Sequence, residues 1–72
     1  MRPFRVEVTG TWEDVRLRTE QSETQVYVVS ANGPLAAEVA AIQLFGGEAA
    51  RRRFRAGPMR TARVLDPDSD PV

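Results

Sequence analysis

Residues 24–45, TQVYVVSANGPLAAEVAAIQLF, join a β-type segment to a helical segment and decide the fold class. The first part, Thr24 to Ser30, is rich in β-branched residues and apolar on both faces, which predicts a central strand. Asn32-Gly33-Pro34 then breaks the strand, and proline is favoured in the first turn of a helix. The stretch therefore predicts a strand, a tight connection and a helix.

The second part of the stretch predicts the main helix. Leu35, Val39 and Ile42 recur at the i, i+4 and i+7 positions, which is typical of one apolar helix face. The alanines between them favour helical backbone. Gly46-Gly47 is expected to end the helix as a C-terminal cap. We therefore expect a helix over residues 34–45.

The flanking segments predict further strands. Apolar and polar residues alternate from Phe4 to Thr9 before the break at Gly10, which predicts a half-buried strand. The same alternation predicts strands over about Glu13–Thr19 and over Thr61–Leu65. Glu48–Arg55 fits either a short second helix or an irregular basic loop.

Together these elements predict one α+β domain over residues 1–65. It has an antiparallel sheet of three to four strands and one main helix packed on one face, in the order β-β-β-α-β. Residues 66–72 are predicted to be a disordered acidic tail; their alternate aspartates resemble the start of a calcium loop but lack the glycine and glutamate it requires. The predicted core consists of Phe4, Val6, Val8, Val15, Leu17, Val26, Val28, Leu35, Val39, Ile42, Phe45 and Val64.

The composition argues against catalysis. The 72 residues include no histidine and no cysteine, and all ten basic residues are arginine. Imidazole or thiolate nucleophiles, lysine Schiff bases and Cys/His metal sites are thereby excluded. We expect a protein that is not an enzyme and that uses no cofactor and no metal. The absence of a signal peptide and of a long apolar run predicts a cytoplasmic protein without a membrane partner.

An arginine cluster is the most suggestive feature of the sequence. Arg51, Arg52, Arg53 and Arg55 lie within five positions, and Arg60 follows. Guanidinium groups match phosphate oxygens in bidentate geometry, so this cluster predicts a nucleic-acid contact. The alternative is a solvated surface whose arginines pair with nearby carboxylates, and the net charge of zero favours that alternative.

Two aromatic residues are candidates for protein contact. Trp12 lies in a predicted turn, where it either anchors a partner or covers the open end of the small core. Tyr27 is predicted on the solvent face of the sheet together with Arg5, Arg16 and Arg18. Such a face either contacts nucleic acid or makes ordinary cross-strand pairs.

The sequence thus predicts a small non-catalytic binding module that contacts nucleic acid or another anionic partner through Arg51–Arg55. The alternative is a protein-interaction or homodimerising accessory protein that uses a sheet edge and Trp12.

Overall fold

A long antiparallel hairpin is the largest part of the fold. The computed structural model describes residues 1–65, in which β1 (Arg2–Asp14) pairs with β2 (Glu20–Ala31) along nearly its whole length. Because successive side chains of a strand point to opposite faces, the alternation in β1 places its apolar side chains on one face only. That face is the buried one.

The chain continues with α1 (Pro34–Arg51), β3 (Phe54–Ala56) and β4 (Thr61–Leu65). β3 pairs antiparallel with residues 12–14 of β1, and β4 pairs antiparallel with residues 5–9. β1 is therefore central, with β2 on one side and β3 and β4 on the other, so the prediction of a central strand over Thr24 to Ser30 is wrong and β2 lies at an edge of the described sheet. The predicted α+β class, an antiparallel sheet of four strands with one helix packed against it, is confirmed.

The order of the elements is β-β-α-β-β and differs from the predicted β-β-β-α-β. The separate strand predicted over Glu13–Thr19 is wrong, because β1 continues through Gly10 to Asp14 and the hairpin turn follows. Gly10 serves the packing of the strand and does not end it. A Cβ atom at this position would lie 3.0 Å from Cε2 of Phe45, a contact tight enough that a larger residue would require the ring to shift.

The helix is longer than predicted and ends at Arg51. Gly46-Gly47 does not stop it, because Gly46 lies against the guanidinium of Arg60, which donates to the Ile42 carbonyl at 3.3 Å. This tertiary contact outweighs the local preference of glycine for a helix end. The ambiguous Glu48–Arg55 segment accordingly divides into the last helical turn, a short connection and the start of β3.

The core lies between α1 and the sheet. The helix presents a stripe of alanines at i, i+4 spacing, whose small side chains let it approach the sheet closely, while aromatic rings fill the space at one end. The buried hydrophobic residues are Phe4, Val6, Val8, Trp12, Val29, Ala31, Ala37, Ala41, Phe45 and Ala49.

The predicted core is only partly correct. Phe4, Val6, Val8 and Phe45 are buried, and Ile42 and Val64 are partly buried. The remaining predicted core residues are exposed: Val15, Leu17, Val26, Val28, Leu35 and Val39.

Part of this error arises because the sequence analysis predicted the opposite face of β2 to be buried. The register with β1 places Val29 and Tyr27 on the helix side of the sheet, so Val26 and Val28 point away from the helix. Both faces of this strand are apolar in sequence, and periodicity cannot choose between two apolar faces.

No helix within residues 1–65 is both long enough and apolar enough to cross a membrane. The predicted acidic tail, residues 66–72, with its calcium-loop-like aspartates Asp66, Asp68 and Asp70, lies outside the described residues.

Candidate functional site

A pocket of about 600 Å³ lies at the end of the domain where the hairpin turn meets the C-terminal end of α1. Two segments that are distant in sequence form it, one from β1 and the turn and one from the helix end and β3. We call it the arginine pocket. Its lining consists of Asp14, Val15, Arg16, Ala50, Arg52, Arg53 and Phe54.

Two arginines of the predicted cluster form ion pairs with carboxylates. Arg52 pairs with Glu48 at 3.0 Å, and its guanidinium lies 5.6 Å from the centre of the Trp12 ring. Arg55 pairs with Glu13 at 2.8 Å across β3 and β1. These pairs match the alternative of a solvated, ion-paired surface, and each exposed pair contributes little to stability.

Four other arginines at this end make no ion pair within residues 1–65: Arg16, Arg18, Arg51 and Arg53. Arg53 follows the helix with a φ of 65°, in the left-handed region, and its N–H donates to the Ala50 carbonyl. This backbone turn connects the helix to β3 and places Arg53 in the wall of the pocket.

The carboxylate of the pocket is engaged by the backbone. Oδ1 of Asp14 accepts hydrogen bonds from the amides of Leu17 at 3.0 Å and of Arg16 at 2.8 Å. These amides hold the pKa of Asp14 below its usual value, with the charge of Arg16 adding a smaller effect. The carboxylate therefore stays ionised and shapes the turn in which Arg16 and Arg18 lie, the latter with a φ of 60°.

The local charge is positive although the whole chain is neutral. Residues 13–20 and 48–55, which form this end of the domain, contain six arginines and four carboxylates. Clustering of this kind produces a positive local field in a protein of zero net charge.

Arg60 was grouped with this cluster in the sequence but has a different environment. Its Nε donates to the Gly57 carbonyl at 3.0 Å and its Nη1 to the Ile42 carbonyl at 3.3 Å. It lines a second pocket, of about 470 Å³, and not the arginine pocket. Its guanidinium connects the β3–β4 loop to the helix.

The aromatic candidates lie inside the domain or against the helix. Trp12 is 1 % exposed and packs between Phe45 and Phe54, with ring centres 5.5 and 5.7 Å away. It covers the end of the core, so its side chain does not project toward a partner. The hydroxyl of Tyr27 donates to Glu48, on the side of the sheet that faces the helix.

The structure does not assemble the positive aromatic face predicted from Arg5, Arg16, Arg18 and Tyr27. Arg5 lies on the open face, the other two arginines lie in the turn, and Tyr27 lies on the helix side. The structure instead places Arg16 and Arg53 in the lining of the same pocket. Sequence reasoning missed this pair, because it depends on the pairing of β3 with β1, two segments about 40 residues apart.

Within residues 1–65 no group of three or more acidic side chains is arranged to hold a metal ion. Comparison of the chain with protein-family models, with curated proteins and with solved structures gives no match.

Proposed function

We propose that the protein is a small non-catalytic binding module that contacts single-stranded nucleic acid through the arginine pocket. The supporting observation is the convergence of Arg16 and Arg53, from two distant segments, on one pocket, with no carboxylate of residues 1–65 paired to either. Free guanidinium groups are the protein groups best suited to bind phosphate oxygens.

The apolar part of the pocket favours an unpaired nucleotide over a duplex. Val15, Ala50 and Phe54 line it beside the arginines. An aromatic ring and aliphatic groups next to guanidinium groups suit a base stacked on protein with its phosphate held at the rim. The volume of about 600 Å³ is in the usual range for small-ligand pockets, so one nucleotide unit fits.

Fluorescence anisotropy with a labelled single-stranded oligonucleotide and a matched duplex tests this function. The test variant combines Arg16→Gln with Arg53→Asn, since asparagine tolerates the left-handed backbone found at Arg53. The control variant, Arg5→Gln, removes an exposed arginine on the open face that has no ion pair in residues 1–65.

We expect the double variant to weaken single-strand binding at least about tenfold and to lower the slope of log K against log salt by about 1.4, for two lost phosphate contacts. The control is expected to bind like the natural chain. Equal affinity of all three proteins, or binding that does not change with salt, would contradict the proposal.

A further inference from the structure

The outer edge of β2 is long, and no strand of residues 1–65 pairs with it. Within the described residues β2 pairs only with β1, so its other edge is open along the 12 residues from Glu20 to Ala31. Alternate N–H and C=O groups of such an edge point outward and can extend a sheet.

This edge lacks the features that usually prevent edge-to-edge pairing. From Thr24 to Ala31 it has no charged residue, no proline and no glycine. The opposite edge is formed by two strands of 3 and 5 residues, which contain Arg55 and Arg63 and are separated by Pro58. Short strands, charges and proline are common protections of sheet edges, so the two edges differ in kind.

Exposed valines lie beside the open edge. Val26 and Val28 are 48 % and 69 % exposed on the sheet face that the helix does not cover. They lie opposite Glu7 and Arg5 of β1, so their cross-strand neighbours on that side are charged. A partner strand at this edge would cover part of their surface.

We propose that β2 pairs antiparallel with β2 of a second copy, with Tyr27 on the twofold axis. Val26 then lies opposite Val28 of the second copy, and the reverse pair repeats the contact, which sets four valines side by side on the open face. The proposal is independent of the nucleic-acid function, because the edge and the arginine pocket share no residue.

The charges favour this register. Glu23 lies opposite Ala31 of the second copy, and the neighbour of Ala31 in β1 is Arg2. Glu23 and Arg2 of the second copy are then two strand spacings apart, about 10 Å, with only a small side chain between them. Centring the pair on Glu23 would instead place two like charges directly opposite, which is unfavourable.

Molar mass measured by light scattering over a concentration series tests the dimer. Val28→Glu is the test variant, and Leu35→Glu, at a 73 % exposed position on the helix, is the matched control. We expect the natural chain and the control to reach twice the 8.0 kDa of one chain. Val28→Glu is expected to raise the dimer dissociation constant at least about tenfold, since it brings a charge to an apolar contact.

Cysteine cross-linking tests the register without a destabilising charge. The natural chain has no cysteine, so each single variant carries one thiol. In a mixture of Val26→Cys and Val28→Cys proteins, the proposed register places the thiol of one variant directly opposite the thiol of the other. We expect disulfide formation to be faster in the mixture than in either variant alone. A natural chain that stays at the mass of one copy at millimolar concentration would overturn the proposal, as would a control that dissociates while Val28→Glu does not.

Discussion

The hydroxyl of Tyr27 donates a 2.6 Å hydrogen bond to Oε1 of Glu48 and connects β2 to the last turns of α1. The other oxygen of the same carboxylate accepts from Arg52 at 3.0 Å. One glutamate therefore links the sheet edge, the helix and the arginine cluster. Burial raises the pKa of Tyr27 well above its ordinary value, and the hydrogen bond to the carboxylate of Glu48 adds to the shift.

This contact predicts a loss of stability at alkaline pH. Below the ordinary tyrosine pKa of about 10, the folded and unfolded chains both keep the phenol proton. Above that pH only the unfolded chain loses it, so the free energy of unfolding falls as pH rises, by at most about 1.4 kcal/mol per pH unit. The chain has one tyrosine and neither lysine nor cysteine, so no other side chain titrates just above pH 10.

Urea unfolding between pH 8 and 11.5 checks this prediction, with Tyr27→Phe as the comparison. The variant is expected to be less stable at pH 8 by about 1.5–3 kcal/mol, for one lost hydrogen bond to a charged group. Its stability should then change little up to pH 11.5. An equal alkaline loss in both proteins would show that another group is responsible.

Trp12 is expected to be essential for packing and not for hydrogen bonding. Its ring is buried between two phenylalanines, and its Nε1 has no hydrogen-bond partner within residues 1–65. Trp12→Ala should cost about 3–5 kcal/mol. A domain of this length has a free energy of unfolding of only about 4–11 kcal/mol. The variant should therefore be largely unfolded at moderate temperature. Trp12→Phe loses no hydrogen bond and should keep the fold; far-UV circular dichroism distinguishes the two outcomes.

Two glycine substitutions are expected to have opposite effects. A Cβ at Gly10 meets the Phe45 ring, whereas a Cβ at Gly47 meets nothing within 4 Å. Gly10→Ala should therefore lower stability by about 1–3 kcal/mol through overpacking. Gly47→Ala should raise it by about 0.8–1 kcal/mol through helix propensity. Thermal unfolding of both variants checks the pair, and a stabilising Gly10→Ala would contradict the packing described.

The two arginines near the end of the described chain are expected to differ in their effect on stability. Arg60 donates to two backbone carbonyls in a partly buried setting, while Arg63 makes an exposed ion pair with Glu7 at 3.2 Å. Arg60→Gln should cost about 1.5–3 kcal/mol and Arg63→Gln about 0–1 kcal/mol. Chemical unfolding of both variants measures the difference, and equal costs would argue against a structural role of Arg60.

The fold was predictable from sequence where the pattern of apolar residues in a segment fits only one buried face. The alternation in β1 has only one apolar face, so its buried side chains Phe4, Val6 and Val8 followed directly. β2 is apolar on both faces, and its orientation is set by pairing with β1, which the sequence does not show. The helix started as predicted at Pro34 but continued past its glycines because of a contact with Arg60.

The sequence predicted some of the arginines that belong to the candidate site, but not which other residues the fold brings to it. The sequence identified Arg51–Arg55 as a basic cluster, and two of its members, Arg52 and Arg53, line the pocket. The sequence also offered pairing with nearby carboxylates, which the i, i+4 pair of Glu48 and Arg52 matches, but it could not show that Glu13 pairs with Arg55. Nor could it show that Arg16 joins from the hairpin turn. Both facts depend on long-range strand pairing and not on local spacing.

Amide NMR shifts of the ¹⁵N-labelled chain, recorded while a short single-stranded oligonucleotide is added at low and at moderate salt, test the arginine pocket most directly. We expect shifts at residues 14–18 and 50–55 that shrink as salt is raised, with β4 and the start of the helix unaffected. The absence of shifts at low salt, or shifts confined to other surfaces, would contradict the proposed function.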